Sequence, residues 1–160
     1  MDSEFDNPSP LVRRARSRSC TARTSRVDDS NDRTVEPFAS TEIFDHIKNI
    51  NDPEHPYSLE QLDVVKEAGL LVEGSRVKVV FTPTVPSCSM VTLIGLSIRL
   101  KLSRVLPKRF KVDTIVYPGS HTSEMSVNKQ LNDKERVAAA LENPNLVQKV
   151  DLCLSGKTAF

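Results

Sequence analysis

From Thr41 onward the apolar residues fall into runs with either helical or strand spacing. Ile43, Phe44, Ile47 and Ile50 stand at i, i+1, i+4 and i+7, which predicts a helix with Ser40 or Thr41 as its N-cap. Asn51-Asp52-Pro53-Glu54-His55-Pro56-Tyr57 breaks it, and Ser58 to Asp63 then reads as a short capped helical turn, with Ser58 and Gln61 at the spacing of a capping box. Val64 to Glu67 and Gly69 to Glu73 predict an edge strand. Arg76 to Thr82 alternates around Val77, Val79 and Phe81 and predicts a second strand, joined to the first as a hairpin through Glu73-Gly74-Ser75.

The stretch from Ser89 to Val105 is too long for an ordinary strand, and Leu93, Leu96 and Leu100 share one helical face, so it is expected to be a helix. Phe110 to Tyr117 alternates and closes on Pro118-Gly119, which predicts a third strand. Helices are expected at Thr122 to Leu131, at Asn132 to Glu142 with Asn132 as cap, and at Asn145 to Leu154 after Pro144 at the turn. The expected fold is α+β, a small three-stranded sheet packed with about five helices on one face, in a single domain.

Composition adds a boundary. Residues 1–40 read as an Arg/Ser-rich tail and residues 41–160 as the folded domain. Six arginines (Arg13, Arg14, Arg16, Arg18, Arg23, Arg26) lie between Leu11 and Arg26 with no acid among them. So little apolar surface does not offset the entropy of ordering, and disorder is expected there. With 38% hydrophobic residues the rest can bury a core, and a net charge of +1 gives no overall pull toward nucleic acid or membrane. No stretch approaches the roughly 18 apolar residues of a membrane span, and the acidic start does not read as a signal peptide. A cytoplasmic protein is expected, with the nucleus as a second location.

Cys20, Cys88 and Cys153 are three and far apart, which indicates neither a disulfide framework nor a zinc knuckle. Cys88 is set in Phe81-Thr82-Pro83-Thr84-Val85-Pro86-Ser87-Cys88-Ser89-Met90, where two prolines force an extended connection before the long helix. At or near that helix's N-cap, unpaired N–H groups and the dipole favour a thiolate; the competing reading is a small buried hydrophobe. Asp52, Glu54 and His55 share a rigid turn that reads as a metal site, a general base or simply a loop. His121 and Glu124 stand where a helix begins, and capping accounts for them as well as a Cys-His dyad of Cys88 with His55 or His121 does. Arg99, Lys101, Arg104, Lys108, Arg109 and Lys111 read as a solvated basic face rather than a nucleic-acid surface, because they lack the repeated aromatic interleaving that suggests base stacking. Ser155-Gly156-Lys157-Thr158 is not a phosphate loop, because its leading glycine would fall on Asp151. Cys153 is at an apolar helical position and reads as core.

Four strings carry a resemblance: Ile50-Asn51-Asp52-Pro53-Glu54-His55-Pro56, the segment Phe81 to Met90, Thr92-Leu93-Ile94-Gly95-Leu96, and the run from Asn128 to Asn143. Together they resemble the cytosolic iron-sulfur assembly component 2 family, over roughly Thr41 to Leu154, with the tail outside. The resemblance implies an α+β domain of the type labelled domain of unknown function 59. It also implies a non-enzymatic adaptor of the cytosolic targeting complex, joined to a WD40 propeller and a HEAT-repeat protein, that delivers iron-sulfur clusters to client apoproteins, with some members linked to chromosome segregation. It makes Cys88 the reactive thiol and a transient cluster ligand, and Asp52, Glu54, His55, His121, Glu124, Asp133, Glu135 and Arg136 partner contacts or fold determinants. The family usually has His before this cysteine; Ser87 stands there in this chain.

A protein-held cluster usually takes four cysteine ligands, so no cluster is expected to be stably bound by one chain. The missing ligands would come from a partner, a second copy in a homodimer, or the client. Cys88 paired with a histidine in a hydrolase or redox enzyme is the competing function, and a structural scaffold with an inert thiol is a third.

Overall fold

A computed structural model describes residues 12–13, 38–84, 86 and 90–156. The order is α1 (Ser40–Ile47), β1 (Val65–Glu73), β2 (Arg76–Phe81), α2 (Val91–Val105), β3 (Lys111–Val116), α3 (Glu124–Asn132), α4 (Lys134–Glu142) and α5 (Pro144–Leu154). The α+β expectation holds, as does the hairpin, whose turn uses Gly74 at φ 57°, a left-handed conformation that favours glycine. Of the predicted tail, residues 1–40, only 12–13 and 38–40 are described, and Ser40 already opens α1.

The sheet has the order β1-β2-β3, antiparallel between the first two and parallel between the last two. β2, α2 and β3 therefore form a crossover unit, the connection that parallel neighbours require. Strand alternation puts Val77, Val79 and Phe81 of β2 and Val112, Thr114 and Val116 of β3 on the buried face. α2 covers that face and buries Leu93, Ile94, Leu96, Ile98 and Leu102, while α1 contributes Ile43 and Ile47 and α5 contributes Val150 and Cys153. The sequence placed Cys153 in this core, and it is there.

Several boundaries differ from expectation, each for a physical reason. β1 is the expected edge strand, continuous through Ala68, with a register shift between Val65 and Leu70. Gly69 sits in the shift because a Cβ there would lie 2.7 Å from the Val80 carbonyl oxygen. Ala39, not Ser40 or Thr41, caps α1, and the Glu42 carboxylate accepts from the Ala39 N–H at 3.1 Å. The first residue of α2 is Val91 rather than Ser89, and Met90 is its N-cap. α3 starts at Glu124 rather than Thr122. Pro144 opens α5 at its first position, where a missing N–H costs nothing, and Asn143 caps it.

Asn132 does not cap α4. It ends α3, and Asp133 caps α4 through the Glu135 N–H at 3.0 Å. Asn132 is used instead on the outer edge of β3, where its Oδ1 accepts from Thr114 N–H at 3.2 Å and its Nδ2 donates to Thr114 O at 3.1 Å. Asn128, one helical turn earlier, accepts from Val116 N–H at 2.8 Å. Two amides four residues apart on one helix thus satisfy edge groups that would otherwise invite pairing with another strand.

The basic run is not one solvated face. Arg99 is half-buried and donates to Leu131 O at 2.6 Å, Arg104 pairs with Asp151, and Arg109 lies over the Phe110 ring. Among the described residues no helix is long and apolar enough to cross a membrane.

Candidate functional site

Parallel pairing of β2 and β3 brings their carboxyl ends to the same edge of the sheet, and the segment 82–90 leaves from that edge to reach α2. Its base is fixed. Thr82 N–H donates to Val64 O at 2.8 Å, Tyr117 N–H donates to Phe81 O at 2.8 Å, and Pro83 is buried. Farther along, Pro86 O accepts from Thr122 N–H at 3.0 Å, which ties the segment to the loop after β3. Cys88 lies outside the described residues, as do Val85, Ser87 and Ser89. The helix that follows has no acidic residue in its first turn and no side-chain cap on Met90. Its dipole therefore faces this edge without a compensating carboxylate of its own.

The second wall of the edge is the loop from Tyr117 to Ser123. His121 accepts at Nδ1 from the Ser123 N–H at 3.0 Å, and Glu124 accepts from the Gly119 N–H. Both residues shape the loop whose Thr122 meets Pro86, two residues before Cys88 in the chain. Tyr117 and Met125 are respectively 56% and 82% exposed here, although both are large and apolar. Sequence reasoning passed over them: Tyr117 read as a strand end and Met125 as one helical residue among several. Alternation already pointed Tyr117 away from the face of Val116, which was the available signal.

Asp52, Glu54 and His55 form a different cluster. Asp52 is only 6% exposed, and its Oδ1 accepts from the N–H groups of Glu54 at 2.7 Å and His55 at 3.1 Å. The capping box of the following turn closes as expected, with Ser58 N–H donating to Gln61 Oε1 and Gln61 N–H to Ser58 Oγ. Asn51 N–H donates to Cys153 O at 3.0 Å, so the turn is sewn to the end of α5. The described thiol beside this turn is accordingly Cys153. Burial pushes the Cys153 thiol up despite a hydrogen bond with Ser97, and the nearby Asp52 adds to the rise, which keeps the sulfur protonated and unreactive. His55 Nε2 is buried without a hydrogen-bond partner. Among the described residues no three His, Cys, Asp or Glu side chains are grouped to hold a metal ion.

Burial also pushes the Asp52 carboxyl up from 3.8, opposed by the Glu54 N–H, the His55 ring and the His55 N–H. A raised pKa means that the folded state holds the proton more tightly than the unfolded chain. The contribution is complete below 3.8 and is lost as pH rises through the shifted value. Asn keeps the acceptor without the buried charge. Asp52→Asn is therefore expected to match or exceed wild-type stability near neutral pH, and the difference is expected to shrink in acid. Asp52→Ala leaves two N–H groups unpaired and is expected to cost about 1–3 kcal/mol. Urea unfolding of the three proteins at neutral and acidic pH checks this, and an Asn variant as unstable as Ala would contradict it.

The third group lies on α4. Asp133 caps the helix and faces Arg136 at 3.6 Å, while Glu135 and Arg136 are exposed on a helix packed between α3 and α5.

Comparison with known proteins adds identity to this geometry. Residues 40–114 match the family model described as "Iron-sulfur cluster assembly protein". "Protein AE7" of Arabidopsis thaliana is 54% identical over 156 residues, 96% of this chain and 98% of that protein. "MIP18 family protein galla-2" of Drosophila melanogaster is 51% identical over 160 residues, 98% and 99% of the two chains. "Cytosolic iron-sulfur assembly component 2B" of Mus musculus is 50% identical over 157 residues, 96% and 93%. Matches this complete extend into the tail, which the sequence reading had left outside the resemblance. Identity of about half along nearly the whole of both chains means that this protein belongs to the MIP18 family, that of cytosolic iron-sulfur assembly component 2.

Proposed function

We propose that the protein acts in cytosolic iron-sulfur protein assembly, as a non-enzymatic adaptor that delivers clusters to apoproteins. The observation that carries this reading is the near-complete match to a relative named as a cytosolic iron-sulfur assembly component. Its working parts are the Cys88 segment and the surfaces around it. Cys88 stands three residues before Val91, the first residue of α2, and a helix N-terminus so near in the chain would favour a thiolate. The cluster is cargo. The chain has three cysteines and Cys153 is spent in the core, so a four-thiolate site cannot be completed by one chain. Cys88 supplies one transient ligand, and the others come from a partner, a second copy or the client.

In this account the partners are a WD40 propeller and a HEAT-repeat protein of the targeting complex. Exposed Tyr117 and Met125, together with Glu135 and Arg136 on α4, are the contact surfaces. The setting is cytoplasmic, extending to the nucleus. Clients that maintain DNA would link delivery to chromosome segregation. An affinity pull-down from matched cell extract tests the adaptor role. Recovery of both partners with wild-type protein is expected, and recovery of neither would overturn it.

A further inference from the structure

A groove of about 540 Å³ runs between α1 and the segment from Glu60 to Ala68. The folded domain lines it with four carboxylates, Asp45, Glu60, Asp63 and Glu67, against two ammonium groups, Lys48 and Lys66. Its remaining charge comes from outside the domain. Arg13 reaches the groove from the tail, donating its backbone N–H to Gln61 O at 2.7 Å and setting its guanidinium 3.6 Å from Asp63 Oδ1. Asp63 is held at φ 59°, a left-handed conformation that Asp and Asn tolerate, and it also meets Lys66 at 2.9 Å.

We propose that this groove is the docking site of the chain's own tail, gripping it at Val12-Arg13. Three observations agree. The contact pairs a backbone hydrogen bond with a charge contact, so both the course of the chain and the residue type are read. The lining carries two more negative than positive groups before Arg13 arrives, and the tail holds six arginines without an acid between Leu11 and Arg26. The close relatives align through the tail as well as the domain. Placement gives the strap a purpose. Val64 O, one residue beyond Asp63, accepts from Thr82 N–H at the base of the Cys88 segment. Docking at Arg13 therefore anchors the arginine-rich tail at the end of the sheet from which that segment leaves.

Trypsin tests this on the full-length protein, because it cleaves after arginine and needs a locally undocked chain. Cleavage after Arg13 is expected to accelerate by roughly threefold or more in Asp63→Asn relative to wild type, with cleavage after Arg18 and Arg23 unchanged. Asn preserves the left-handed backbone, and a thermal melt verifies that the variant is folded. Amide hydrogen exchange of wild-type protein provides a readout independent of any variant: the Arg13 N–H is expected to be protected relative to Ala15 and Ser17. Equal cleavage in the two proteins with an unprotected Arg13 amide would overturn the proposal. Protection that falls away on dilution would place the tail in another copy's groove and overturn docking within one chain.

Discussion

Phe81→Ala is expected to destabilise the domain by about 3–5 kcal/mol, the usual cost of emptying a fully buried aromatic site. Phe81 has no solvent exposure, is the last residue of β2, and pairs with Val65 of β1 and Val116 of β3. It is therefore the side chain at which all three strands meet beneath the segment 82–90. Its backbone contacts survive the substitution, since Tyr117 N–H still reaches the residue-81 carbonyl. The loss is thus one of packing and cavity formation. Domains of this size have total stabilities of about 5–15 kcal/mol, so about a fifth or more would disappear and the urea midpoint would fall accordingly. A cost below about 1 kcal/mol would mean that the site collapses around the smaller residue and that Phe81 does not organise this edge.

Gly95→Ala is expected to destabilise by about 1–3 kcal/mol, although alanine is the better helix former by about 1 kcal/mol. The reason is space. A Cβ at position 95 would lie 2.8 Å from Leu131 Cδ2 and overlap Cδ1 as well, and Leu131 is fully buried. α2 and α3 touch here because glycine lets the leucine of one helix lie against the backbone of the other. Leu131→Ala should remove the overlap while leaving its own cavity. The double variant is then expected to be more stable than the sum of the singles predicts, by about 1 kcal/mol or more. Strict additivity in denaturant unfolding would assign the effect to something other than this contact.

Most elements were legible because their signals are local. The i, i+4, i+7 stripe of α1 and the alternation of β2 and β3 carry their own faces, and Ile43, Ile47, Val77, Val79 and Val116 are buried as those patterns require. Asn132 was misread because its sequence signature, a polar residue before a helix, is the same whether it caps that helix or bonds to β3. Only the approach of α3 to the sheet edge decides. The register shift at Gly69 was not legible, since the carbonyl that excludes a Cβ there belongs to Val80 on the next strand.

Of the candidate site, the helix expected after Cys88 was legible in the order of residues, and Cys88 itself lies outside the described residues. That Thr122 holds Pro86, and that Cys153 rather than a second reactive thiol lies beside Asp52, depend on how distant segments fold back. The docking of Arg13 was hidden for the same reason, because an arginine-rich tail looks unstructured unless the acidic groove that receives it is known.

In the proposed role Cys88 carries the delivery function, while the fold and the partner surfaces do not need it. The most direct measurement is maturation of a cytosolic iron-sulfur client, followed as radiolabelled iron incorporation, in cells depleted of the endogenous protein and supplied with wild type or Cys88→Ala. Cys88→Ala is expected to retain partner binding and thermal stability but to reduce incorporation to the level of cells given no protein. Incorporation equal to wild type, with Cys88→Ala expressed at the same level, would contradict it.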